Sequence, residues 1–268
     1  MNFGSFAKAL LPLMGREEER REAESLVDGF ADELERARRE AFGKKLGFGH
    51  WQGAEEAEGS EGAEGLHTGS EGWSMAKLLE DCLRLMQVTA PDYAIFWRQL
   101  ARVPRLAVAA MRAGPTDKSG VSALHLSHLS RLFASPTVAR LLVEPLKHSF
   151  YADPVSPTVL DKWAVWVLKW LRLLLFRNQA APQGTAQLDR RVVEAEGLMR
   201  ENSPKFIPRE WMLIEAYEKA EQLDFSGVRA LQKLFSSPYE EQTEAANREY
   251  YRKTPPKWRN RARASFMT

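Results

Sequence analysis

The residue sets in this chain that could do chemistry are few, and each meets a limit once its spacing is read. Gly47, Gly49 and Gly53 approach the G-x-G-x-x-G pattern of a loop whose backbone N–H groups cradle phosphate. The spacing misses, however, and the run follows a helical segment rather than a strand. Asp224-Phe225-Ser226 imitates the Asp-Phe-Gly carboxylate that holds Mg²⁺ in kinase-like transfer, yet no His-Arg-Asp loop precedes it. Its simpler role is an N-cap or turn ahead of a helix from Ser226. His125 and His128 stand three apart, a helical spacing that can present two nitrogens to Zn²⁺. No acidic or His partner lies nearby in sequence, so surface or half-buried histidines are expected. Cys82 is the single cysteine. On an apolar face with Leu78, Leu79, Leu83 and Met86 it is expected to be buried and inert. One cysteine also excludes a disulfide framework or a Cys-based metal cluster within the chain. No residue is therefore assigned a catalytic, cofactor-binding or metal-ligating role.

Two aromatic sets remain. Trp163, Trp166 and Trp170 recur at steps of three and four, one face of a helix, and core packing explains them without a ligand. From Asn247 to Ala264 seven Arg and Lys face one Glu249, with Tyr250, Tyr251 and Trp258 interleaved. Such a tail suits a nucleic-acid backbone or an acidic partner, but docking back onto the chain's own core is expected instead. A rival reading uses both sets: a stand-alone helical protein-interaction module that docks through an exposed Trp-rich helix and the basic tail.

Helices must position all of these residues. Met1 to Met14 reads as a short apolar helix. In Arg16 to Leu46 the residues Leu26, Phe30, Leu34, Ala37 and Ala41 recur along one face, with Gly43, Gly47 and Gly49 ending the helix. Ser74 is the expected N-cap of a helix carrying Leu78 to Met86, and Asp92 to Leu100 continues in helical period. Further helices are predicted over Ala123–Phe133, Thr137–Leu146, Thr158–Phe176 and Gln187–Glu201, punctuated by prolines, with a linker over Gln179–Gln183. No run of Val/Ile/Thr-rich alternation argues for a strand, so the fold class is mainly α.

The chain divides into N-terminal helices (1–51), an acidic linker (52–72), a helical region (73–178) and a C-terminal helical segment with its basic tail (179–268). The linker holds six Glu and six Gly without Lys or Arg, a composition that cannot repay the entropy of ordering, so disorder is expected there. Formal net charge over the 268 residues is +2; without the linker's −6 the remainder is +8. That near balance argues against a dedicated nucleic-acid binder. Leu160 to Phe176 is the most hydrophobic stretch, but Asp161, Lys162, Lys169 and Arg172 interrupt it, so no membrane span is expected. The N-terminus has neither a secretory signal nor the acid-poor character of a transit peptide.

The last third carries a resemblance. Asn202 to Ala220, reading NSPKFIPREWMLIEAYEKA, and then EQLDFSGVRALQKLFSSPY through Tyr239, resemble the C-terminal region of the selenoprotein O family, called YdiU in bacteria. That family has an Asn-Pro-Lys/Ala-x-x-x-Arg-Asn-Tyr/Trp motif, a helix, Gly-Asp-Phe/Met-Ser and a Pro-Tyr/Phe motif. Tyr250 to Trp258 resembles its closing Tyr…Pro-Pro-x-Trp. Weaker likenesses follow in order: Asn2–Met14 to its Trp-Asn-Leu helix, Lys44–Phe48 to Lys-Leu-Gly-Leu, and Asp92–Arg98 to Asp-Tyr-Thr-x-Phe-Phe-Arg.

The resemblance implies the C-terminal helical part of a protein-kinase-like pseudokinase fold. The family's activity is AMP transfer from ATP to protein Ser, Thr or Tyr hydroxyls (AMPylation), with Mg²⁺ on the phosphates. ATP sits inverted relative to ordinary kinases, and an N-terminal portion supplies the glycine-rich loop, Lys–Glu pair, Arg residues and metal ligands. This chain is therefore expected to be a fragment without the nucleotide and metal site, inactive alone. Its expected partners are protein substrates and the missing catalytic portion, with no nucleic acid. Mitochondrial localisation is implied by eukaryotic members. Members commonly end in a Cys- or selenocysteine-containing tail, so a UGA codon after Thr268 is the corresponding expectation, checked on the transcript.

Overall fold

The computed structural model describes residues 3–49, 75–113, 135–176 and 185–259. The predicted linker, Ser74, the Ala123–Phe133 helix with its two histidines, Gln179–Gln183, Gly53 and the chain beyond Arg259 lie outside them.

Every described element is helical, and the one β-type contact among the described residues is an isolated antiparallel bridge between Pro91 and Phe150. The order is α1 (Phe3–Leu10), a 3₁₀ turn (Leu11–Leu13), α2 (Glu17–Lys45), α3 (Met75–Thr89), α4 (Tyr93–Leu100), α5 (Val103–Ala113) and α6 (Pro136–Lys147). Then come α7 (Pro157–Phe176), α8 (Thr185–Glu201), α9 (Glu210–Ala220), α10 (Ser226–Ser236), α11 (Glu244–Tyr250) and α12 (Pro256–Arg259). Pro12 explains the 3₁₀ turn, because a helix interior cannot supply its missing N–H.

The centre of the fold is α7, which packs against α3, α6 and α8. Trp163, Trp166 and Trp170 are all buried. Trp163 stacks on Phe150 and meets Phe96, with centroid distances of 5.7 and 5.3 Å. Both indole N–H groups further along have backbone acceptors: Trp166 donates to Leu78 O at 2.8 Å and Trp170 to Leu46 O at 2.9 Å. These two rings are thus buried with their polar atoms satisfied, whereas the buried Trp163 Nε1 has no hydrogen-bond partner. This corrects the docking reading of an exposed Trp-rich helix: those rings hold α2, α3 and α6 around α7 and are not available to a partner.

The C-terminus of α2 closes by a Schellman arrangement. Phe48 N donates to Gly43 O and Gly47 N to Lys44 O, at 2.9 and 3.1 Å, with Gly47 at φ +80°. Gly43 lies inside α2 rather than at its end. The apolar stripe predicted along α2 is present but does not enter the core. Leu26 and Leu34 are 70% and 56% exposed, and only the end of α2, from Phe42 to Leu46, packs inward against α8.

A second, smaller core is separate from the first. Phe206, Trp211, Met212, Ala216, Leu231, Leu234 and Trp258 bury one another between α9, α10 and α12. No buried residue is common to both clusters.

Candidate functional site

The places that sequence reading offered for chemistry have structural occupations. Gly47 is the α2 cap, and a Cβ there would meet Ala195, Leu174 and Met199 at 3.2–3.3 Å, so no phosphate fits against it. Asp224 makes an Asx turn: its Oδ1 accepts from Ser226 N at 2.9 Å. That backbone N–H lowers the exposed Asp224 pKa from its ordinary value. Cys82 is buried on the α3 face with Leu78, Leu79 and Met86, and burial raises its thiol pKa well above the ordinary range. Among the described residues no three His, Cys, Asp or Glu side chains gather as metal ligands. No described helix is long and apolar enough to cross a membrane.

The strongest polar convergence lies elsewhere, on the seam between the two cores. Arg98 extends from α4 and is 6% exposed. Its Nη1 donates to Arg200 O at 2.9 Å and Ser203 O at 3.1 Å; its Nη2 donates to Tyr239 O at 2.8 Å and Glu241 Oε1 at 2.7 Å. Lys205, also buried, donates to the other Glu241 oxygen at 2.6 Å, and Arg200 Nη1 lies 3.6 Å from Oε1. Burial pushes the Glu241 carboxyl up, but hydrogen bonds from Lys205 and Arg98 and their charges outweigh this and hold it at about 2.

The second half of the seam pairs Asp92 with Arg209. Asp92 caps α4 through Ile95 N at 3.2 Å and takes a bidentate Arg209, one arm at 2.8 Å. Burial lowers the Arg209 pKa, but the Asp92 hydrogen bond and charge prevail and raise it. Tyr151 donates to the same carboxylate at 3.2 Å while its oxygen accepts from Thr254 N at 2.9 Å. Gln99 donates to Tyr251 OH at 3.1 Å, and burial pushes that phenol up to about 12.

The basic tail joins this seam, as far as it is described. Lys253 donates to Phe150 O at 2.6 Å, Arg252 lies over Trp211 at 4.8 Å and Arg259 over Tyr151 at 5.3 Å. Its cations are thereby engaged in cis. Sequence reading passed over Asp92, Arg98, Tyr151, Lys205, Arg209 and Glu241 as site candidates. A signal was present: Asp92 and Arg98 bound one segment of the resemblance, and Lys205 and Arg209 lie in another. These charges bind one another and backbone carbonyls, so their chemistry is positioning, and a triphosphate finds no uncommitted cationic clamp among them.

Comparison with known proteins adds kinship. The mouse protein named "Protein adenylyltransferase SelO, mitochondrial" is 30% identical over 131 residues, which cover 43% of this chain and 19% of that protein. A protein named "Protein nucleotidyltransferase YdiU" from Vibrio vulnificus is 36% identical over 109 residues, covering 40% of this chain and 21% of its own. The YdiU of Variovorax paradoxus aligns over 260 residues at 28% identity, covering 96% of this chain and 36% of that protein. The chain thus spans between 19% and 36% of the length of these relatives. No protein-family profile and no solved structure matches it. Similarity to proteins named YdiU thus extends over nearly the whole chain at 28% identity, and similarity to the mouse SelO over 43% of it.

Proposed function

We propose that this chain is the helical scaffold of a SelO/YdiU-type adenylyltransferase and works with a nucleotide-binding portion outside these 268 residues. The observation that supports this most is the alignment of 96% of the chain with just over a third of the Variovorax YdiU. In the reaction that the family resemblance implies, a protein Ser, Thr or Tyr hydroxyl gives up its proton as its oxygen attacks the α-phosphorus of ATP. The new P–O bond forms as the α–β bridge breaks and pyrophosphate leaves, and Mg²⁺ supplies charge neutralisation on the phosphates. Among the described residues, the committed cations of the seam and the packed cap at Gly47 do not fit ATP. Its own work is to present a rigid helical face, built around α7, to a protein-kinase-like portion and to the protein substrate.

A chimera tests this. Substituting this chain for the aligned stretch of the Variovorax YdiU, with the remainder of that protein retained, is expected to give a folded protein that labels itself or a protein acceptor from ATP carrying an α-phosphate label. The 268-residue chain alone is expected to incorporate none. A folded chimera without transfer, or transfer by this chain alone, overturns the reading.

A further inference from the structure

Two apolar clusters that share no buried residue are joined by polar bridges, and Arg98 makes more of them than any other residue. Arg98 belongs to the larger core by its helix, yet three of its four acceptors, on Ser203, Tyr239 and Glu241, lie across the seam, and the fourth is Arg200 O at the end of α8. The Asp92–Arg209 pair, the Tyr151–Thr254 bond and the Lys253–Phe150 bond repeat the pattern along the same seam. The strength of such a seam rests on geometry: when one partner withdraws, the remaining carbonyls and charges lose their bonds together. The smaller core belongs to a segment of fewer than about 60 residues, a size at which burial alone leaves a unit marginal. Cooperative segments of low local stability are where proteins open first.

We propose that residues 203–259 form a separable unit, caught on the larger core by Arg98, that opens as one body before the rest of the fold. Opening uncovers the charged face of α4, from Asp92 to Gln99, which the closed state keeps from solvent and from partners. The device is independent of the reading of function above, since it concerns only this chain's own stability.

Native-state amide hydrogen exchange on the full 268-residue chain, across low urea concentrations, tests it. Amides of α9, α10 and α11 are expected to share one opening, with a common denaturant dependence, at lower free energy than amides of α6 and α7. Glu241→Gln, which keeps the shape but removes the carboxylate charge, is expected to cut protection about tenfold or more in that group and leave α7 unchanged. Exchange of α9–α11 only with global unfolding overturns the proposal. So does residue-by-residue fraying without a common opening, or an equal loss of protection in α7 in the variant.

Discussion

At Gly47 the chain turns with φ +80° and three side chains stand where a Cβ would go. Gly47→Ala therefore adds backbone strain and displaces Ala195, Leu174 or Met199, and is expected to cost about 2–3 kcal/mol in a urea titration. Trp170 combines full burial with a satisfied indole at the same turn. Trp170→Ala is expected to cost about 3–5 kcal/mol, and a smaller loss in the same titration would mean the surrounding helices collapse into the space. Glu241 gives a pH signature. Its folded pKa of about 2 lies below its ordinary value of 4.5. The stabilisation it brings, from facing Arg98, Lys205 and Arg200, is present above pH 4.5 and is lost as pH falls through about 2. Opening of α9–α11, followed by exchange, is expected to rise over that acid range in the native chain and to flatten in Glu241→Gln.

At the scale of elements, α2 separates what periodicity can say from what packing decides. The recurrence of Leu26, Phe30, Leu34, Ala37 and Ala41 correctly marks a helix, and Glu17–Lys45 is one. Periodicity does not say what that face meets, and the described residues that cover α2 come chiefly from α1 near one end and α8 at the other. The exposed Leu26 and Leu34, with Phe6, Leu10 and Leu13 of the adjoining turns, leave apolar surface in water. This favours self-association of the isolated chain. The double change Leu26→Glu, Leu34→Glu is expected to lower light scattering at high concentration while moving the urea midpoint by less than about 0.5 kcal/mol in stability. A loss comparable to that of a core residue would show that the stripe is covered.

For the whole molecule, charge is unevenly shared along the chain. The six glutamates of residues 52–72 bring a +8 remainder down to +2. Replacing that segment with a short Gly-Ser linker is expected to leave the urea midpoint of the helical body unchanged. Retention on a cation exchanger is expected to rise steeply and to fall with salt. A shifted midpoint would show that the segment contributes to the packed structure. The same body divides into two cores, and the chimera and exchange experiments ask different questions of it: what the scaffold presents, and which part of it lets go first.

Residue pattern was enough to locate α1 to α4 and α6 to α8 and much of what they bury. Apolar period, proline punctuation and the Trp163–Trp166–Trp170 spacing are local signals, and each turn of a helix reads them without knowledge of the rest. The buried Cys82 and the Asp224 turn were legible for the same reason. Only the folded chain brings Arg98, Lys205 and Glu241 together, because a charged residue reads as solvent-exposed until a partner distant in sequence, 143 positions from Arg98 and 36 from Lys205, supplies its acceptor. It also decided that the smaller core is a body of its own, since burial depends on which faces meet, and the order of helices along a chain does not say where one hydrophobic cluster ends and the next begins.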